Sequence, residues 1–156
     1  MAVAADDSCI GFKWDITRER ALFATVAETV TSGTDVASAP LVMPDRLYEL
    51  AIRPQAQVAF EVPPGKKVPI EGASAGLARL RLPTSGKYRI SLDQSFWIDV
   101  VADNHLVAAE DFQGRPGCHT PHKIVLYSLP GGEELLLQLS GAVGSHVRLT
   151  IVPSVR

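Results

Sequence analysis

Hydrophobic and polar residues alternate along most of the chain from residue 47 onward. Tyr48, Leu50 and Ile52 are separated by polar or small residues, and this two-residue period recurs at intervals of roughly 8–12 residues. Further runs of the same kind lie at 57–62, 78–82, 88–92, 96–100, 106–109, 123–129, 135–139 and 147–151. A period of two is typical of β-strands that have one buried face. The pattern therefore predicts about nine strands.

Strands with a single apolar face are stable when two sheets bury those faces against each other. We therefore expect an all-β fold, an antiparallel, jelly-roll-like β-sandwich over residues 10–156, preceded by a flexible N-terminus over residues 1–9. A length of 156 residues suits one domain. The 11 prolines argue against a helical bundle, because proline breaks helices.

The segment before the alternating region carries a different pattern. Helix formers at residues 18–24 predict a short helical turn, which Asp15 or Thr17 caps. Residues 26–30 predict a short strand, and residues 31–46, rich in small residues and proline, predict a surface connection. Pro54 and Gln55 predict a hairpin turn between the first two alternating runs.

The charge of the chain and its N-terminus bear on compartment and partners. The formal net charge of −2 argues against a nucleic-acid partner, because such proteins carry basic surfaces. No run approaches 18 apolar residues, so the protein is not expected to span a membrane. Residues 2–7 are similar to the small-residue end of a signal cleavage site. Our hypothesis is a mature periplasmic or secreted domain with a start methionine added by cloning, and the alternative is an ordinary frayed terminus.

The two cysteines, Cys9 and Cys118, point to the same compartment. One pair of cysteines in an exported protein predicts one disulfide, which here would close a loop of about 110 residues. The alternative is two independent thiols, one of which is a metal ligand.

The second half of the chain carries a series of strand-and-turn segments, at 80–83, 85–92, 97–100, 137–141 and 147–151. In these segments residues 76–152 resemble the pre-peptidase C-terminal type of secreted jelly-roll module. The resemblance implies an exported, non-catalytic accessory or ligand-binding domain. Many such modules bind calcium through a paired acidic loop, which this sequence lacks.

A second resemblance covers the whole chain and rests on the segments 12–15, 53–60, 64–67, 96–101, 111–114 and 121–125. In these the chain is similar to short exported proteobacterial proteins of uncharacterised function. Some proteins that look like it carry a homogentisate dioxygenase label, although those iron enzymes are far longer and their motifs are not found here. That label implies an iron-dependent enzyme as an alternative function.

The densest cluster of polar residues lies at 110–123 and offers the strongest candidate for metal chemistry. Asp111, His119 and His122, with Cys118 if it is a thiolate, are ligand types that suit zinc, copper or iron. Two histidines and one carboxylate also match the composition of a non-haem iron site. The alternative is a disulfide at Cys118 and two loop histidines, in which case no cofactor is predicted.

The run at 96–100 offers a candidate binding surface. If Phe96 faces the core, Trp97 and Asp99 lie on the opposite, outer face of their strand. An exposed aromatic ring beside a carboxylate is typical of sugar and peptide recognition. Arg79, Arg81 and Arg89 add hydrogen-bond donors if they share that face.

The sequence contains neither a Gly-x-Ser-x-Gly elbow nor a phosphate-binding Walker loop. We therefore expect a non-catalytic exported accessory or binding domain of the bacterial envelope that recognises a glycan, a peptide or a protein partner. The alternative is a small metal-binding protein or a metal-dependent enzyme that uses His119, His122 and Asp111. The pattern does not define the oligomeric state.

Overall fold

A computed structural model describes residues 9–66 and 71–154. These residues form one α-helix, α1, at Thr17–Phe23. They also form twelve strands: β1 Glu28–Thr31, β2 Leu41–Val42, β3 Tyr48–Ala51, β4 Arg53–Pro54, β5 Ser74–Arg81, β6 Gly86–Leu92, β7 Trp97–Ala102, β8 His105–Leu106, β9 Asp111–Gly114, β10 Lys123–Leu129, β11 Glu134–Ala142 and β12 His146–Pro153. Of the expected N-terminal segment, residues 1–8 lie outside the described residues.

The strands form two sheets that confirm the all-β sandwich. Sheet A has the order β1-β3-β12-β6-β10-β9, and sheet B has the order β2-β5-β11-β7-β8, with β4 also paired to β5. Within them, β3-β12-β6-β10 and β5-β11-β7-β8 follow the order of an eight-stranded jelly roll. The expectation of purely antiparallel sheets is wrong at two places, because β1 pairs with β3 and β2 pairs with β5 in parallel. A two-residue period shows which face of a strand is buried but not its direction.

The core lies between the sheets and is built from alternate residues of their strands. Leu50, Ile90 and Leu149 of sheet A meet Leu80 and Leu137 of sheet B, and all five are almost fully buried. This is the inner face that the alternating pattern predicts. The hairpin between β7 and β8 turns at Asp103 and Asn104, which both adopt left-handed backbone angles.

The outer face of sheet A is covered by residues 9–24, which we call the N-terminal cover. Leu22 and Phe23 of α1 are buried against this face, and Glu19 is buried beside them. Before the helix, the Asp15 carboxylate accepts a hydrogen bond of 2.9 Å from the backbone N–H of Thr17. A disulfide between Cys9 and Cys118, as predicted, ties the start of the cover to the loop that precedes β10.

The outer face of sheet B is covered by residues 58–66, which we call the strap. A strand was expected over 57–62, but the segment joins neither sheet, and residues 55–57 form a 3-10 turn instead. The expected hairpin turn at Pro54 is also wrong, because Arg53–Pro54 form β4 and pair with β5. Val58, Phe60 and Val62 do share one face of the strap, and they pack on a second apolar cluster that includes Leu77 and Leu136. The alternation therefore reflects burial against a sheet rather than membership of one.

Two further expectations for the chain need correction. Residues 31–46 are more than a surface connection, since they contain β2 and bury Ser32, Ala39 and Val42. Strand β9 was not expected, because its exposed Phe112 gives the segment no apolar inner face. No helix in the described part of the chain is long and apolar enough to cross a membrane.

Candidate functional site

Strand β7 presents two faces of opposite character. Phe96 and the β7 residues Ile98 and Val100 lie in the core between the sheets. Trp97 and Asp99 consequently lie on the other face, where the Trp97 ring is half-buried and Asp99 is only 6 % exposed. The candidate binding residues on this strand are therefore adjacent to each other and face the strap.

A cavity of about 740 Å³ opens beside them, where the β7–β8 edge of sheet B meets the β9–β10 edge of sheet A. We call it the edge groove. Most of its surface is apolar, and it is lined by Gly65, Lys66, Ser95, Trp97, Ile98, Asp99, Leu106, Val107, Ala108, Ala109, Phe112, Lys123, Val125, Tyr127 and Gly141. Leu106 and Phe112 at its rim are 37 % and 69 % exposed, so the apolar lining continues to the surface.

Asp99 holds one end of the groove together. One of its carboxylate oxygens, Oδ1, accepts a hydrogen bond of 3.0 Å from Trp97 Nε1. The other, Oδ2, accepts one of 2.9 Å from the backbone N–H of Gly65 in the strap. A Cβ atom at residue 65 would lie 2.9 Å from the Asp99 carboxylate, so a larger residue there would displace the carboxylate or the strap. Asp99 thus fixes both the indole ring and the end of the strap.

Two lysine side chains converge on the indole ring of Trp97. The ammonium nitrogen of Lys66 lies 5.7 Å from the ring centroid, and that of Lys123 lies 5.5 Å away. Both distances fall within the range of cation–π attraction. Lys123 Nζ also donates a hydrogen bond of 2.8 Å to the backbone carbonyl of Phe96. The groove therefore has a cationic end built from the strap and from the start of β10.

Burial and neighbouring charge affect the titration of groups in the groove. Burial of the side chain, and secondly the positive charge of Lys66, lower the pKa of Lys123, while the Asp99 carboxylate opposes the shift. Burial also raises the pKa of Tyr127, and the Asp99 carboxylate adds to that effect. The Tyr127 hydroxyl donates a hydrogen bond of 3.2 Å to the carbonyl of Ile98, so the phenol remains neutral and part of the wall.

The three arginines predicted to join Trp97 and Asp99 do not line the groove. Arg79 lies on the outer face of sheet B, where its Nε donates to the Ala39 carbonyl at 2.7 Å, and it lines a separate cavity of about 120 Å³. Arg81 donates to the carbonyl of Gly132 at 2.8 Å, at the far end of β5.

The expectation that Arg89 shares a face with Trp97 and Asp99 is wrong, because its strand, β6, belongs to sheet A and not to sheet B. Its guanidinium is buried and forms two hydrogen bonds with the carboxylate of Glu19, at 2.6 and 3.0 Å. This bidentate pair attaches the N-terminal cover to sheet A and faces away from the groove. Period-two alternation gave Arg89 the correct outward orientation but could not assign its strand to a sheet.

The structure does not bring the predicted metal ligands together. Cys118 is in the disulfide, and the rings of His119 and His122 stack with centroids 5.9 Å apart. Asp111 pairs with Leu126 in the β9–β10 ladder, three residues of strand from the end where Lys123 and His122 lie, which is about 10 Å. Its carboxylate is 2.8 Å from the ammonium group of Lys13. Among residues 9–66 and 71–154 there is no group of three His, Cys, Asp or Glu side chains placed to hold a metal ion. Asp111 is therefore separated from His119 and His122, and the predicted ligand set is not assembled among these residues.

Lys66, Lys123 and Tyr127 are polar groove residues that the sequence pattern did not single out. A signal for one of them was present, because Lys123 occupies the same face of β10 as Val125 and Tyr127, which lie in the core. A charged residue at the first position of a strand face that is otherwise buried indicates that this end of the core is open to polar groups.

Comparison with known protein families finds no family model that matches the chain, and comparison with curated proteins finds no match either. The resemblances to exported proteobacterial proteins and to jelly-roll modules therefore stay predictions. The jelly-roll order of the strands is a feature of the fold, and fold alone does not define function. The edge groove is consequently the feature from which a function can be inferred.

Proposed function

We propose that the protein is an exported, non-catalytic binding domain whose ligand occupies the edge groove. The observation that carries this proposal is the groove itself, an apolar cavity of about 740 Å³ with a few polar groups that converge at one end. Cavities of this size and character are the usual sites of ligand binding in proteins. A peptide, a glycan or a segment of a protein partner are the ligand classes expected from the sequence.

The hydrogen bonds of the polar groups favour recognition over catalysis. Asp99 uses both carboxylate oxygens to hold Trp97 and the strap, and Tyr127 donates to the carbonyl of Ile98. Lys123 likewise donates to the carbonyl of Phe96. A general acid or base must be able to reach a proton of the substrate. Groups whose hydrogen bonds maintain the shape of a cavity are better suited to orienting a ligand.

The disulfide supports the exported location. A bridge between Cys9 and Cys118 is compatible with an oxidising compartment such as the periplasm or the exterior of the cell. Alkylation of the protein as isolated from its native host, before and after reduction, tests this part of the proposal. We expect no reactive thiol before reduction and two after it. Two reactive thiols before reduction would contradict an exported location.

Binding in the groove is tested with Nile red, a neutral apolar dye whose emission rises and shifts to the blue in apolar sites. We expect one dye per protein, with a change in Trp97 emission in a Trp14→Phe variant, because Trp97 is then the remaining one of two tryptophans. Leu106→Asp should abolish the signal, since it places a charge in the apolar wall.

A matched control is Leu41→Asp, at a residue 43 % exposed against 37 % for Leu106, on the opposite edge of the same sheet. This variant should bind the dye as the unmodified protein does. Absence of dye binding, or equal loss in both variants, would show that the groove is not a ligand site.

A further inference from the structure

The cationic end of the edge groove has more positive than negative charge. Lys66 and Lys123 both approach the Trp97 ring, at 5.7 and 5.5 Å, and the one carboxylate among the groove's described lining residues is Asp99. The oxygens of Asp99 are occupied by Trp97 Nε1 and by the Gly65 N–H. Two ammonium groups therefore lie near one ring, and the single carboxylate beside them already accepts hydrogen bonds from other donors. The space next to Lys66 and Lys123 should consequently attract an anion.

Two acidic residues, Glu110 and Asp111, stand next to lining residues of the groove in the sequence, and both are paired with lysines other than Lys66 and Lys123. Glu110 lies 3.0 Å from the ammonium group of Lys87 and also accepts a hydrogen bond from Ser128. Asp111 lies 2.8 Å from Lys13. None of the residues in these two pairs lines the groove, so neither carboxylate neutralises Lys66 or Lys123. The positive charge is therefore available to a ligand.

The remainder of the groove suits an aliphatic body. Ile98, Leu106, Val107 and Val125 line it with branched aliphatic side chains, next to the exposed ring of Phe112. Burial of a hydrocarbon chain against such a wall is favourable by the hydrophobic effect. A glycan would instead require free acceptors and donors for its hydroxyl groups, and the Asp99 and Tyr127 oxygens are already bonded within the protein.

We propose that the edge groove recognises a small amphiphilic carboxylic acid, with the carboxylate between Lys66 and Lys123 and the aliphatic chain along Ile98, Leu106 and Val125. The inference rests on the proposed function, since it concerns the ligand of the same groove, and it replaces the peptide, glycan and protein classes expected from the sequence with a small acid. A carboxylate that accepts hydrogen bonds from the two ammonium groups also relieves the repulsion between their like charges.

The test uses decanoate, with decanol and decyltrimethylammonium as neutral and cationic probes of equal chain length. Binding is followed by Trp97 emission in the Trp14→Phe variant and by displacement of Nile red. We expect decanoate to bind about tenfold more tightly than decanol, and the cation more weakly still, because a charge-assisted hydrogen bond contributes that much. Raising the salt concentration should weaken the binding of decanoate and leave the binding of decanol unchanged.

Variants of the two lysines test where the carboxylate lies. Lys66→Gln and Lys123→Gln should each reduce the affinity for decanoate several-fold, up to about the tenfold that separates decanoate from decanol, while Nile red binds as before. Lys87→Gln, at a surface lysine paired with Glu110, is the control and should change neither the affinity for decanoate nor that for Nile red. Lys66 is exposed, so its variant keeps the test valid even if Lys123→Gln disturbs folding.

The outcomes separate the inference from the proposed function. If decanol and decanoate bind equally while Nile red still binds the groove, the anion inference is overturned and the binding function stands. If Nile red does not bind, the function itself fails. If an apolar hexapeptide with a free C-terminal carboxylate binds and decanoate does not, the ligand is a peptide and the small acid is excluded.

Discussion

The two sheets of the sandwich are covered on their outer faces by segments that are held in different ways. The N-terminal cover on sheet A is fastened by the disulfide between Cys9 and Cys118 and by the buried ion pair between Glu19 and Arg89. Both fasteners are specific and strong. Neither cysteine, nor either member of the ion pair, belongs to the lining of the edge groove.

The strap on sheet B is held by weaker and more numerous contacts. Gln138, which is fully buried, accepts hydrogen bonds from the N–H groups of Glu61 and Val62 and donates one to the Val62 carbonyl, at distances of 3.0 to 3.4 Å. Gln138 is paired across the ladder with Asp99, which holds Gly65. Two neighbouring polar residues on the outer face thus position a segment that belongs to no sheet.

This difference separates stability from binding. The strap ends at Gly65 and Lys66, which are themselves part of the groove wall. The N-terminal cover lies on the outer face of sheet A, and near the groove it contacts β9 through Asp111 and Gln113, which are not lining residues. Loss of a fastener in the N-terminal cover should therefore lower the free energy of unfolding and leave the groove intact. Loss of a fastener in the strap should affect both.

The largest effect is expected from removal of the disulfide in a Cys9→Ala/Cys118→Ala variant. The cysteines are separated by 109 residues, and a loop of that length stabilises a protein by about 4–5 kcal/mol through the entropy of the unfolded chain. Urea unfolding should show that loss, together with a larger dependence on denaturant, because the unfolded chain is less compact. Binding of Nile red under native conditions should not change. A loss below about 1 kcal/mol would show that the bridge constrains little, since removal of native disulfides typically costs about 2–5 kcal/mol.

The second effect concerns the buried ion pair. Glu19→Ala should lower the free energy of unfolding by about 3–5 kcal/mol, because it leaves the Arg89 guanidinium buried without its charged partner. A Glu19→Leu/Arg89→Met double variant should recover most of that loss, since apolar residues replace both charges. Glu28→Ala, which removes an exposed pair with Arg46, is the control and should cost less than about 1 kcal/mol. If Glu19→Ala costs no more than this control, the pair does not fasten the cover.

The sheets could be predicted from the sequence because alternation directly reports a strand with one buried face. The strap shows the limit of that reasoning, since Val58, Phe60 and Val62 alternate as a strand does and are buried as predicted. The strap lies over β11, whose two neighbours are β5 and β7, and the side chain of Gln138 bonds to part of the strap backbone. That contact spans more than 70 residues of sequence and has no local signal.

The candidate site could be predicted only in part for the same reason. Trp97 and Asp99 are two residues apart on one strand, so their shared face follows from the strand period. Lys66 and Lys123 reach the same ring from the strap and from the other sheet, which depends on the order of the strands. Asp111 and His122 are close in sequence but are separated along the β9–β10 ladder by its register. The disulfide was predictable because the chain has two cysteines and hence a single intramolecular pairing.

Gln138→Leu is expected to have the smallest effect on stability. It also distinguishes the strap from the N-terminal cover most clearly. Loss of the amide leaves the N–H groups of Glu61 and Val62 without their acceptor, which should lower the free energy of unfolding by about 1–3 kcal/mol. Gln94→Leu removes an amide that donates to the His146 carbonyl away from the strap, and it is the control for a general loss of one glutamine.

Binding measurements on the same variants decide what the strap does. In Gln138→Leu the strap keeps its hydrogen bonds at Ala59 and Gly65 but loses those at Glu61 and Val62. Lys66 is then less well fixed over Trp97, so the affinity for decanoate should fall several-fold, whereas Nile red does not need the lysine charge and should bind as before. Glu19→Ala is expected to cost more stability and to leave both affinities unchanged. If Gln138→Leu lowers stability without weakening either probe, the strap is only a cover, and the groove is shaped by the two sheet edges alone.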